Sequence, residues 1–190
     1  MLDFRLWHKR CGKRGTRPGE GEVDEGGVDL NLLDDMEPLN PLVELEQVAA
    51  ELAAFKQALR RRGAKADLPA GVEKALAYIH TNLFSETLDA TRVRLQFRLT
   101  NNNIASRFKH HIGAEMQRYI ESARLEAAKR LLRHEDLSVL KIAWSVGYAY
   151  PESFARAFKR YMGVSASEYR AQMLRRTVKT RRNEGNLEVG

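Results

Sequence analysis

The 190-residue chain has little cysteine, proline or aromatic content: one cysteine (Cys11), five prolines, and 8% Phe, Trp and Tyr together. A single thiol excludes an intrachain disulfide and any zinc site built on paired cysteines, and it suits a reducing compartment. No apolar run approaches the ~18 residues that signal a membrane span. The basic stretch from Lys9 to Arg17 is followed by acidic, Gly-rich sequence where a signal peptide would have its apolar core. Catalytic patterns are missing as well, with no Gly-rich phosphate loop, no paired carboxylates and no Ser/His/Asp arrangement. Cys11 stands without a positioned base. His110 and His111 are adjacent, so on a helix they face different directions, and no third ligand stands at a useful spacing. The expectation is a cytoplasmic protein that is not an enzyme and carries no cofactor and no metal.

What the chain does have is charge. Thirty-two Lys and Arg against 25 Asp and Glu leave a net +7, which favours a polyanionic partner. The charge is unevenly placed. Residues 1–67 hold 11 basic and 13 acidic side chains, a net −2, whereas residues 72–176 hold 18 and 10, a net +8.

Residues 1–38 read as a disordered arm, because Gly-rich basic sequence gives way to a stretch from Glu20 to Glu37 without a Lys or Arg. Residues 39–62 read as one amphipathic helix: Leu45, Val48, Leu52, Phe55 and Leu59 recur at spacings of 3, 4, 3 and 4. That seam suits docking on the rest of the chain and self-association into a homodimer through residues 45–59 equally well. Residues 63–67 form a linker, residues 68–176 the main domain, and residues 177–190 a basic flexible tail. In the domain, Leu68-Pro69 opens a helix with Val72, Leu76, Ile79 and Leu83 on one face. Gly113, Gly147 and Gly163 stand where a left-handed glycine ends a helix. A long helix from about Ala114 to Arg133 carries the stripe Met116, Ile120, Ala123, Ala127 and Leu131.

The domain contains a duplication. IASRFKHHIG (104–113) and FARAFKRYMG (154–163) share Ala, Phe, Lys and Gly at an offset of 50, and Tyr119 and Tyr169 keep the same offset. In the second copy Ser138 can cap a helix whose Ile142, Ala143 and Val146 face inward. Gly147 ends it, and Pro151 begins the next helix at the position proline tolerates best. This is a helix-turn-helix pattern. Phe154 and Phe158, four apart, pin the second helix and leave Glu152, Ser153 and Arg156 facing outward near its start, where a recognition helix meets base edges.

With its RLEAAKRLL, IAWSVGY and ESFARAFKRYMGVSASEYR segments, the stretch from about Val72 to Arg170 resembles the DNA-binding domain of AraC/XylS-type transcription regulators. The resemblance implies an all-α fold in which two helix-turn-helix units are joined by a long connector helix, here with a short, partly disordered N-terminal extension. It implies base-reading positions at Asn102, Ala105 and Ser106 in the first unit and at Glu152, Ser153 and Arg156 in the second. Departures gather in the first unit, where Arg94 and Arg98 replace the family's small residues and RVRLQFRLT alternates in a way that suits a strand as well as a helix. The helix is favoured, since Leu88, Val93, Phe97 and Leu99 occupy the family's apolar positions. In the second unit Ala166 replaces a usual proline and Tyr150 a usual small polar cap.

The implied function is that of a sequence-specific transcription regulator, an activator, bound to double-stranded DNA and in contact with RNA polymerase. Arg107, Lys109, Lys159 and Arg160 are expected near phosphates, Arg156 as a bidentate guanine reader, Glu152 as an acceptor from cytosine, and Asn102 opposite adenine. A connector of ~19–20 residues would span about 30 Å, close to the ~34 Å between successive major-groove faces. Many members of this family carry a β-rich ligand-sensing domain. The 67 residues ahead of the domain are too few to enclose a small molecule, so control is expected through a regulatory protein partner or expression level. The alternative function is a helix-turn-helix-fold protein-interaction module with weakened DNA reading.

Overall fold

The computed structural model describes residues 41–64, 67–97 and 103–185, with side chains described between 44 and 175 of these. The arm 1–38, together with Arg98, Leu99, Asn101 and Asn102, lies outside the described residues. All regular structure among the described residues is helical: α1 (Pro41–Gly63), α2 (Ala70–Asn82), α3 (Ala90–Gln96), α4 (Asn103–Ile112), α5 (Met116–Leu131), α6 (Val139–Ser145), α7 (Pro151–Met162) and α8 (Ala166–Gly185). The all-α expectation holds. The described part of the ambiguous run is helical as far as Gln96, in α3, started by Asp89, whose carboxylate accepts from Arg92 N at 2.6 Å.

Helix α5 packs against α1, α3, α4, α6 and α7. Its expected stripe is buried throughout: Met116, Ile120, Ala123, Ala127 and Leu131 all lie in the core. The helix is shorter than the sequence suggested. Its 16 residues span about 24 Å at 1.5 Å per residue, because the chain leaves helical geometry after Leu132 and Glu115 already has extended backbone. Proline 69 precedes α2 as its cap residue instead of sitting inside the first turn, while Val72, Leu76, Ile79 and Leu83 face inward as expected.

The N-terminal seam is used internally. Val48, Phe55 and Leu59 are buried, and Leu52 is partly buried against the same core. Helix α1 lies on α2 and α5. Polar bonds pin the docked helix from its flank: Lys56 Nζ donates to Thr81 O at 3.1 Å, and Arg60 donates to Thr81 Oγ1 at 3.2 Å. The Arg130 guanidinium stands 4.8 Å from the centre of the Phe55 ring. Of the two uses the seam allows, the structure shows docking: its apolar residues pack on the chain's own core. Leu45 is the exception. It is 68% exposed, and the inward place next to it is taken by Glu44, which pairs with Lys141 of α6 at 2.5 Å.

Helix α8 continues through residues 177–185.

Candidate nucleic-acid interface

Two helix pairs, α3–α4 and α6–α7, flank the connector, and their internal geometry repeats. The Phe108 ring meets Tyr119 edge-on at 5.7 Å, and the Phe158 ring meets Tyr169 edge-on at 5.7 Å. Gly113 and Gly163 follow α4 and α7 at φ of 81° and 80°, and their amides donate to Lys109 O and Lys159 O at 2.9 and 2.7 Å. Each pair's first helix starts on a polar cap, Asp89 for α3 and Ser138 for α6; the Ser138 hydroxyl accepts from Lys141 N at 3.2 Å. The offset of 50 seen in the sequence is therefore a repeat of contacts as well as of letters.

In the second unit Ile142, Ala143 and Val146 are fully buried, and Tyr148 N donates to Ala143 O at 3.0 Å across the turn. Gly147 has φ 91°, a conformation costly for any L side chain. A methyl group there would also lie 2.9 Å from Phe84 O. Pro151 occupies the first turn of α7. Phe154 and Phe158 are buried, which leaves Glu152 and Arg156 exposed and Ser153 half-buried on the outer surface. Tyr148 packs edge-on against Phe154 at 5.4 Å, and burial pushes its hydroxyl up to about 12.

The first unit is built alike with fewer anchors. Ile104 and Phe108 are buried, Ala105 is half-buried, and Ser106 and Arg107 are exposed. Arg94 does not disrupt the unit: it lies exposed on α3 and donates to Thr91 Oγ1 at 3.2 Å. Beside α4 the structure has a cleft of about 540 Å³ lined by Thr91, Arg94, Ala105, Ser106, Lys109 and Gln117, among others. Thr91, Arg94 and Gln117 were not expected as site residues. The signal for Arg94 was present, as a long cation where the resemblance calls for a small residue.

The cations expected at DNA, Arg156 as a base reader and the other four at phosphates, divide into two groups. Lys109 pairs with Glu115 at 3.1 Å, and Arg160 pairs with Glu121. Arg107, Arg156 and Lys159 are exposed and form no ion pair with another described residue.

Residues 96–172 match the profile of a family described as a helix-turn-helix domain. The chain is 37% identical over 87 residues to the HTH-type transcriptional activator RhaS of Escherichia fergusonii, covering 46% of this chain and 31% of that protein. It is 28% identical over 99 residues to the lactose operon transcription activator of Staphylococcus xylosus, covering 52% of this chain and 35% of that one. Among solved structures, the C-terminal domain of AraT, a response regulator from Geobacillus stearothermophilus, superposes with a TM-score of 0.54 at 28% identity, covering 56% of this chain and 88% of that one. The chain carries an AraC/XylS-type double helix-turn-helix domain. It spans about a third of the length of the curated relatives it matches. Within the AraC/XylS-type domain, α4 and α7 are each the second helix of their pair, and each turns a polar face outward. No helix among the described residues is long and apolar enough to cross a membrane.

Proposed function

We propose that the chain is a sequence-specific, DNA-binding transcription regulator of the cytoplasm, an activator that places α4 and α7 in adjacent major grooves of one duplex. The observation that carries this reading is the repeat of the recognition-helix environment. Both helices are held from behind by the same Phe–Tyr contact, and both turn polar or basic side chains outward. A pair of mounts that share this contact on one connector serves no purpose in a catalytic or single-site binding protein. It suits a duplex whose major groove returns to the same side every ~34 Å.

In this reading Arg156 reads guanine through a bidentate contact, and Glu152, Ser153, Asn102, Ala105 and Ser106 face the remaining base edges. Arg107 and Lys159 contact phosphates as they stand, while Lys109 and Arg160 do so after leaving Glu115 and Glu121. RNA polymerase is the proposed partner for activation. The test is selection of bound duplexes from a random library with the full chain, followed by footprinting of the winner. Two protected elements about one helical turn apart support the reading. Enrichment of no sequence, with binding that ignores base identity, refutes it and favours the protein-interaction alternative.

A further inference from the structure

Among the described residues, the side chain with the most hydrogen bonds to distant backbone lies on neither α4 nor α7. Arg124, in the middle of α5, is 7% exposed. Its Nε donates to Leu83 O at 2.9 Å, and its Nη2 donates to Ser85 O at 2.5 Å and Leu88 O at 3.1 Å. These carbonyls belong to the connection between α2 and α3, in the first unit. The same guanidinium lies 5.9 Å from the centre of the Tyr148 ring, in the turn of the second unit. That turn is pressed on the first unit directly, because Gly147 has room for no more than hydrogen beside Phe84 O and Arg124 Nε. Tyr148 in turn packs on Phe154, the first buried ring of α7. An unbroken series of contacts thus runs from the first unit's loop through one buried cation to the mount of the second recognition helix.

A buried guanidinium needs its donors satisfied in fixed directions, since an unmatched charge in the interior is costly. Its planar fork therefore transmits orientation, which an apolar contact of the same area does not. We propose that Arg124 is a positioning residue that locks the two helix-turn-helix units at one mutual angle, so that the protein selects DNA sites by the spacing of their two elements as well as by their bases. The proposal rests on the two-groove reading above for its consequence on DNA, though not for the lock itself.

Two measurements separate those parts. In the full chain with Cys11→Ser, spin labels at His110→Cys and Ala155→Cys, on exposed positions of α4 and α7, report the distance between the recognition helices without DNA. A narrow distribution is expected, broadened or shifted by Arg124→Met. In parallel, affinity is measured for the selected duplex and for versions with one base pair added or removed between the elements, each change rotating one element by about 34–36° against the other. The native chain should lose about tenfold or more on either change, and Arg124→Met should lose less than about threefold.

Tyr148→Leu, which keeps the carbonyl bonds and removes the ring, should act in the same direction and carries the test should Arg124→Met not fold. Tyr148→Phe should keep the native spacing preference, because the hydroxyl it removes has no hydrogen-bond partner among the described residues. Folded Arg124→Met or Tyr148→Leu proteins with native distance widths and native spacing preference overturn the proposal, as does a native chain indifferent to spacing. Broadened distances in a protein that binds no DNA sequence selectively leave the lock standing and refute the proposed function instead.

Discussion

Histidine 80 offers a direct test of how the core is balanced against acid. It lies on α2, 2% exposed, with Nε2 2.6 Å from the hydroxyl of Tyr119 on α5. Burial is the main force holding the imidazole neutral, the nearby charge of Arg60 adds to it, and together they lower its pKa to about 4 from 6.5. Burial also raises the Tyr119 hydroxyl, so the phenol keeps its proton and the pair is neutral. In the unfolded chain the same imidazole titrates near 6.5. Below that pH the unfolded state takes up a proton that the native state refuses. Stability is therefore complete above about pH 6.5 and falls as the pH drops from 6.5 towards 4, where the native imidazole at last protonates.

The full span is about 2.5 pKa steps at 1.36 kcal/mol each, or about 3 kcal/mol, of which about 2 kcal/mol is lost by pH 5. Carboxylates also titrate on the way down, so the comparison needs a reference that shares them. His80→Gln keeps a polar group facing Tyr119 and removes the titration. Urea unfolding of both proteins at pH 7.5 and pH 5.0 should show the native chain losing about 2 kcal/mol more than His80→Gln between the two. Parallel losses would refute the reasoning, and would mean that the imidazole protonates in the folded state without penalty.

Other substitutions test the remaining parts. Arg156→Ala should cost about 1–3 kcal/mol on the selected duplex and relax preference at one base pair, whereas Lys159→Ala should weaken all sequences alike; competition binding against single-base variants distinguishes the two. Phe55→Ala should lower stability by about 3–5 kcal/mol while leaving the sedimenting mass unchanged, because its ring fills the chain's own core; a fall in mass would restore the seam as a subunit interface. Gly147→Ala should cost more than Gly163→Ala in urea unfolding. Both residues have positive φ, but only Gly147 faces backbone, at 2.9 Å from Phe84 O, and Gly163 faces open space. Equal losses would show that the turn does not bear on the first unit.

Much of the fold was legible because its signals are local. The cap at Ser138, the left-handed glycines at 113, 147 and 163, and the Phe154–Phe158 pair each draw their meaning from residues within four or five positions. The stripe of α5 was legible for the same reason. Where the deciding partner lies far off in sequence, the reading stopped. A seam such as Val48–Leu59 serves a dimer or a docked helix equally, and only the apolar faces of α2 and α5 decide which. Glu44 outcompetes Leu45 for the interior because Lys141 stands 97 positions away. Arg124 was invisible as a lock because its acceptors are backbone carbonyls, which any residue supplies. For Lys109 and Arg160 the residue type suggested phosphate, and the carboxylates of Glu115 and Glu121 that hold them had no signature in the spacing.

The two units are also mounted unequally, and this bears on which of them dominates reading. A recognition helix discriminates bases only to the extent that its side chains are held in place by what lies behind them. Behind α7 a row of rings runs from Tyr148 to Phe154 to Phe158 to Tyr169, with successive centres 5.4, 5.5 and 5.7 Å apart. Its first turn is set by Pro151 and its end by Gly163. Behind α4 the ring contact is with Phe108 and Tyr119, supplemented by Ile104. The cations divide in the same direction. On α7 Arg156 and Lys159 are exposed and outside any ion pair with another described residue while Arg160 is held by Glu121, whereas on α4 Arg107 alone is so placed, Lys109 being held by Glu115. A helix that is firmer and presents more uncommitted charge gains more from each correctly placed base. The second unit should therefore carry the larger share of sequence preference, with the first supplying a second point of attachment whose distance from the other is held by Arg124.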